Sequence, residues 1–145
     1  MFKHILIPTD GSDLSRKALL YGVEIARESK AKVTALTVRA PFLVGSMDMI
    51  GAVGGQGEFE AETQRFADYA LTQARMAGEA AGVELDAVQD VNDQPYRSII
   101  ECATANSCDL IVMASHGRRG VSALILGSET AKVLTHTHIP VLVFR

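Results

Sequence analysis

With 145 residues, 48% of them hydrophobic, the chain has the length of one domain and enough apolar side chains for one core, so a single domain over residues 1–145 is expected. The formal net charge is -3. Its Lys and Arg residues are scattered, which excludes a broad basic footprint for nucleic acid. The opening apolar run, FKHILIP, is far shorter than a signal-peptide core or the ~20 residues of a membrane span, so a cytoplasmic location away from the membrane is expected. Cys102 and Cys108 have no Cys or His partners at zinc-site spacing and are expected to be reduced thiols.

The predicted elements alternate along the chain. HILIP (4–8) is a continuous apolar run and reads as a strand buried on both faces. A helix follows, with Leu14, Ala18, Tyr21, Gly22, Ile25 and Ala26 on its apolar face. KVTALTV (32–38) is the second strand. Residues 41–57 show no periodicity and are long for a structureless connection; the apolar Phe42, Leu43, Met47, Met49 and Ile50 make this segment either a lid over a ligand mouth or a partner-covered stretch. A second helix carries Phe66, Ala70, Ala74, Ala77 and Ala81 on one stripe. VELDAVQ (83–89) is the third strand, and a helix starts around Asp93, with Asp or Asn as cap, Pro95 in the first turn, and Ile99 and Ala103 inward. DLIVMAS (109–115) is the fourth strand. The last helix begins near Gly127 and holds Ala131 and Leu134, and IPVLVF (139–144) is the fifth strand.

Strand and helix in regular alternation predict βαβ units and an open parallel sheet with helices on both faces. Such a sheet takes ligands beyond the carboxyl ends of its strands, where the strand order reverses. Two loops at those ends carry unusual residues. In PTDGSD (8–13), Asp10 follows the first strand, Gly11 permits a tight turn, and Ser12 or Asp13 can cap the helix; ordinary turn chemistry explains the same residues. In VMASHGRRGVSALILGSET (112–130), small residues at Ala114 and Gly117 precede Gly127 and Ser128 at a helix start, where unpaired amides and the helix dipole favour an anion such as phosphate. The chain has no GxxxxGK[ST] loop and no GxGxxG fingerprint. His116 is the one acid/base candidate there. His136 and His138 read as a helix end and loop without a third metal ligand, and His4 as a residue of the first strand.

Over nearly its whole length, from ILIPTDGS through LTV, MASHGRRG and LGSET to IPVLVF, the chain resembles the universal stress protein family. Aligned with the G-x2-G-x9-G-[ST] pattern of that family's ATP-binding branch, it places Ala114, Gly117, Gly127 and Ser128 on the four positions. The resemblance implies strand order 3-2-1-4-5 and an adenine nucleotide, ATP with ADP or AMP as alternatives, accompanied or not by Mg2+. It assigns Asp10 and the main chain of Val38 to the adenine end, with Pro8 and Thr9 among the contacts. Met113, Ala114, His116 and Gly117 line the ribose and phosphates, and Gly127, Ser128, Glu129 and Thr130 offer amides and a hydroxyl. Ala114 stands where the family has Gly: a positive φ would strain it, whereas ordinary strand geometry would not. Arg118 and Arg119 either pair a terminal phosphate or belong to a solvated face.

The last strand is apolar on both faces and lies at a sheet edge in the implied topology, so a homodimer through residues 139–144 is expected. Three functions fit these features: a regulatory ATP-binding dimer read by a protein partner, a stress-response dimer that binds no nucleotide, and an adenylating enzyme, since TDGSDLS loosely echoes an SGGxDS pyrophosphate loop.

Overall fold

A computed structural model of the chain describes residues 1–43, 55–118 and 125–145. Its strands are β1 (His4–Pro8), β2 (Lys32–Arg39), β3 (Leu85–Val91), β4 (Leu110–Ala114) and β5 (Val141–Phe144). The helices are α1 (Asp13–Ser29), α2 (Gly55–Ala81), α3 (Pro95–Ala105) and α4 (Ser128–His136). All strand pairs are parallel, in the order β3-β2-β1-β4-β5. The chain therefore moves outward from β1 to one edge, returns to β4 beside β1, and finishes at the other edge.

The uninterrupted apolar runs occupy the middle of this sheet, as burial on both faces demands. Ile5, Leu6, Ile7, Ile111 and Val112 are inaccessible to solvent. On one face Ile5, Ile7, Val33 and Val112 pack with Leu19, Val23 and Ala26 of α1 and Ala74 of α2. On the other, Leu6, Leu36, Ile111 and Met113 pack with Ile99 and Ala103 of α3 and Val133 of α4. Gly22 lets α1 lie close against the sheet, since a Cβ there would fall 2.6 Å from Ile7 Cδ1. Ser12 caps α1 by accepting from the Ser15 amide, and Lys30 ends it in the left-handed conformation (φ 57°).

Several element details differ from the sequence expectations. In α1, Leu19 and Val23 are buried, while Tyr21 is half exposed and packs its ring 5.7 Å from that of Phe144. The buried stripe of α2 is Ala67, Ala70, Leu71, Ala74 and Gly78, so the phase turns by about one residue and Phe66 faces outward. Gly55–Gly57, placed in the irregular segment by sequence, open α2; Met47, Met49 and Ile50 lie outside the described residues, and with them most of the proposed lid. Strand β3 begins at Leu85 rather than 83, because Gly82 (φ 67°) ends the helix and the Val83 amide folds back onto Gly78 O. Strand β5 begins at Val141, after Pro140. Neither Asp93 nor Asn92 caps α3 through its side chain: the N-cap is Gln94, and the Tyr96 amide donates instead to Glu129 Oε2 of α4 at 2.8 Å. In α4 the inward residues are Thr130 and Val133, with Leu134 exposed, a phase one residue earlier that puts Val133 in the core and the Thr130 hydroxyl on Ala114 O.

Candidate functional site

The loops after β1 and β4, central neighbours whose connections run to opposite sides, meet at the carboxyl ends of these strands. Asp10 joins them. Its Oδ1 accepts from the Ser12 amide at 2.9 Å and its Oδ2 from the Arg118 amide at 2.7 Å. Burial alone would push this carboxyl up, but hydrogen bonds from the Ser12 hydroxyl and amide, the Arg118 amide and the Ser15 hydroxyl outweigh it and hold the group below the usual carboxylate range. Thr9 is buried, its amide donating to Leu36 O at 2.8 Å and its hydroxyl 3.2 Å from Ser15 Oγ. Pro8 closes the β1–β2 ladder opposite Leu36. Strand β2 continues past that point, which leaves the main chain of Val38 beyond the last β1 partner, paired with Asp90 on β3.

Two glycines shape the other wall, and neither is needed for a left-handed backbone. A Cβ on Gly117 would fall on Asp10 Oδ2, so a larger residue there must displace the carboxylate from the amides that hold it. At Gly127 a Cβ would lie 2.8 Å from Ser115 O and 3.2 Å from His116 Cα, while the Gly127 amide donates to the same Ser115 O at 2.7 Å. This contact brings the first turn of α4 against the end of β4. The amides of Ser128, Glu129 and Thr130 precede the first intrahelical bond, Ala131 N to Gly127 O, and such amides with the helix dipole favour an anion.

Ala114 is the last residue of β4 and pairs with Phe144. It is absent from the described residues with positive φ, which are Lys30 and Ser107 besides glycines, so replacing glycine introduces no backbone strain there. Met113 has its side chain in the core beneath, which restricts any cleft contact to its main chain. His116 Nδ1 lies 3.2 Å from Ser115 Oγ, an orienting partner that sequence reasoning missed. Thr130 and Glu129 differ from the expected roles in one respect: the Thr130 hydroxyl is buried and donates to Ala114 O at 3.0 Å, and the Glu129 carboxylate serves the Tyr96 amide and Lys132. Their side chains hold α4 to β4 and α3, which among the described residues leaves the amides of Ser128, Glu129 and Thr130 and the Ser128 hydroxyl for an anion. Arg119 lies outside the described residues. His136 ends α4 with Nδ1 2.8 Å from Lys132 O.

Asp109 shares the depressed carboxyl of Asp10: burial pushes it up, but the amides of His4 and Lys3 outweigh that and hold it down. A carboxyl with a lower folded than unfolded value contributes stability that is complete above the unfolded value, near 3.9, and disappears as pH falls through the folded one. The urea midpoint is therefore expected to fall between about pH 5 and pH 3, and less steeply in Asp10→Asn and Asp109→Asn. Identical slopes in wild type and both variants would contradict this assignment.

An open parallel sheet whose β1 and β4 loops meet at the strand-order reversal, beside a helix N-terminus, defines a doubly wound α/β protein. The chain belongs to the universal stress protein family, whose model matches residues 1–145. It is 33% identical to Universal stress protein MJ0531 of Methanocaldococcus jannaschii, with 100% of this chain and 83% of that protein covered. Universal stress protein YxiE of Bacillus subtilis is 30% identical, with full coverage of both chains. Among solved structures, a universal stress protein in complex with cAMP superposes with a TM-score of 0.73 at 25% identity, covering 99% of this chain and 97% of that one.

Proposed function

We propose that this universal stress protein is a regulatory adenine-nucleotide-binding homodimer of the stress response, in which ATP, ADP or AMP occupies the cleft between Asp10, the Gly117 turn and the first turn of α4. The observation that carries this reading is the closure of Gly127 onto Ser115 O, which sets the amides of Ser128, Glu129 and Thr130 beside the end of β4. The cAMP complex of the relative at 25% identity supports adenine as the base. In this reading Asp10, with Pro8, Thr9 and Val38, serves the adenosine, Met113, Ala114, His116 and Gly117 line its ribose and phosphates, and the amides of Ser128, Glu129 and Thr130 with the Ser128 hydroxyl hold the phosphate chain, while Gly127, its amide engaged by Ser115 O, sets their position.

The donor set does not fit a protein-held Mg2+. Both Asp10 oxygens accept amides, and no group of three or more metal-ligating side chains occurs among the described residues. An accompanying Mg2+ would be carried by phosphate oxygens and water. With Asp10 so engaged, we assign at most slow hydrolysis. A cytoplasmic location belongs to the same proposal; among the described residues no helix is long and apolar enough to cross a membrane. The homodimer is proposed to form through β5, and an unidentified protein partner to read the bound state.

Nucleotide-stripped protein is expected to gain about 2.7 kcal/mol of stability when ATP reaches a hundredfold its Kd. Denaturant unfolding with and without ATP checks this. No shift at millimolar ATP would favour the dimer that binds no nucleotide, and pyrophosphate release with an acceptor would favour an adenylating enzyme.

A further inference from the structure

Arg118 stands outside the nucleotide contacts proposed above, yet its side chain reaches from the β4–α4 loop to Asp10 and Phe66. Its Nε donates to the Asp10 carbonyl oxygen at 2.7 Å, in addition to the main-chain bond to Oδ2. The guanidinium carbon lies 4.2 Å from the centroid of the Phe66 ring on α2. A Cβ on Gly11 would come within 3.1 Å of Arg118 Nη2 and 3.0 Å of Tyr69 Cδ1. One side chain from the β4–α4 loop thus touches both the β1–α1 loop and α2. Phe66 is 44% exposed and Tyr69 50%, so these rings contribute little to the core. A ring face attracts a cation, and a planar guanidinium stacked on it keeps its edge N–H groups in the plane, where they can meet an anion.

We propose that Arg118 determines specificity in this cleft by favouring phosphorylated over unphosphorylated adenosine, and that Phe66 is its positioning residue. The inference rests on the adenine-nucleotide reading. A full positive charge next to the Gly117 turn adds to the field of the α4 N-terminus, and its attraction grows with the charge of the ligand. It is strongest for a triphosphate, weaker for a monophosphate and absent for adenosine. Because Arg118 is exposed, salt screens the effect. Phe66 acts on affinity only through the guanidinium it holds.

The test is calorimetric titration of wild type, Arg118→Gln, Phe66→Ala and Phe66→Tyr with ATP, AMP and adenosine at low and high salt. Arg118→Gln is expected to weaken ATP binding about tenfold at low salt, AMP less, and adenosine by less than about twofold. Phe66→Ala should show the same order with a smaller loss, and Phe66→Tyr should retain wild-type affinities. The chain has no tryptophan, so Phe66→Trp adds a single fluorescent reporter under Arg118. Its emission should change with ATP, not with adenosine, and the ATP response should vanish when Arg118→Gln is added. Equal losses for ATP and adenosine would reduce Arg118 to a structural tie and overturn the proposal. Wild type that binds all three ligands alongside unaffected variants would overturn this inference alone. Wild type that binds none would remove the nucleotide reading and this inference with it.

Discussion

Gly127→Val is expected to abolish ATP-induced stabilisation and to lower the unfolding free energy by about 1–3 kcal/mol. The Gly127 backbone, at φ -60° and ψ 149°, suits valine, so the loss comes from crowding rather than backbone strain. The new Cβ meets Ser115 O and His116 Cα, main-chain atoms at the end of β4 that cannot swing aside as a flexible side chain would. Either α4 withdraws from β4 or the loop buckles, and in both cases the amide group is dispersed. Urea unfolding in the presence and absence of ATP separates the two losses. A variant with wild-type stability and a full ATP shift would contradict the close approach at Gly127.

Val143→Pro is expected to dissociate the proposed homodimer while leaving the sheet intact. The carbonyls of Pro140 and Phe144 accept from Ile111 of β4 and from Ser115 just past its end, so alternation along the strand turns the main-chain groups of Val141 and Val143 to the open edge. Proline at 143 deletes one outward donor, which a two-fold interface loses twice, for roughly 1–3 kcal/mol and a tenfold or greater rise in the dimer dissociation constant. Leu142→Pro instead interrupts pairing with β4 and should destabilise the monomer. Sedimentation equilibrium of the two variants distinguishes these cases. A Val143→Pro dimer as tight as wild type would exclude pairing through this edge.

The central strands were legible because their burial leaves no polar alternation: HILIP coincides with β1, and DLIVMAS contains β4 with one extra residue at each end. The cap of α1 was readable to within one residue, as Ser12 or Asp13; the structure makes Ser12 the cap and Asp13 the first helical residue. The phase of α2 was ambiguous in a segment rich in alanine, where Ala77 and Ala81 extend one stripe while Ala67, Leu71 and Gly78 extend another. The fit of Gly78 beneath Leu85, 2.8 Å from an added Cβ to Leu85 Cβ, favours the second stripe and turns Phe66 outward to Arg118. Contacts between distant elements were beyond local reasoning. Glu129 serves the Tyr96 amide across the α3–α4 gap, and the Thr130 hydroxyl is spent on Ala114 O. The glycine spacing located the turns at Gly117 and Gly127, but only the fold shows that a side chain at 117 would displace the Asp10 carboxylate and one at 127 would meet the Ser115 carbonyl, irrespective of any ligand.

Amide NMR during an ATP titration tests the phosphate seat most directly. The 15N–1H signals of Gly117, Gly127, Ser128 and Glu129 are expected to move together and saturate with a single Kd, while those at the far ends of α3 and β3 stay in place. Saturable ATP binding that leaves these four amides unmoved would contradict the assignment of the phosphates to the first turn of α4.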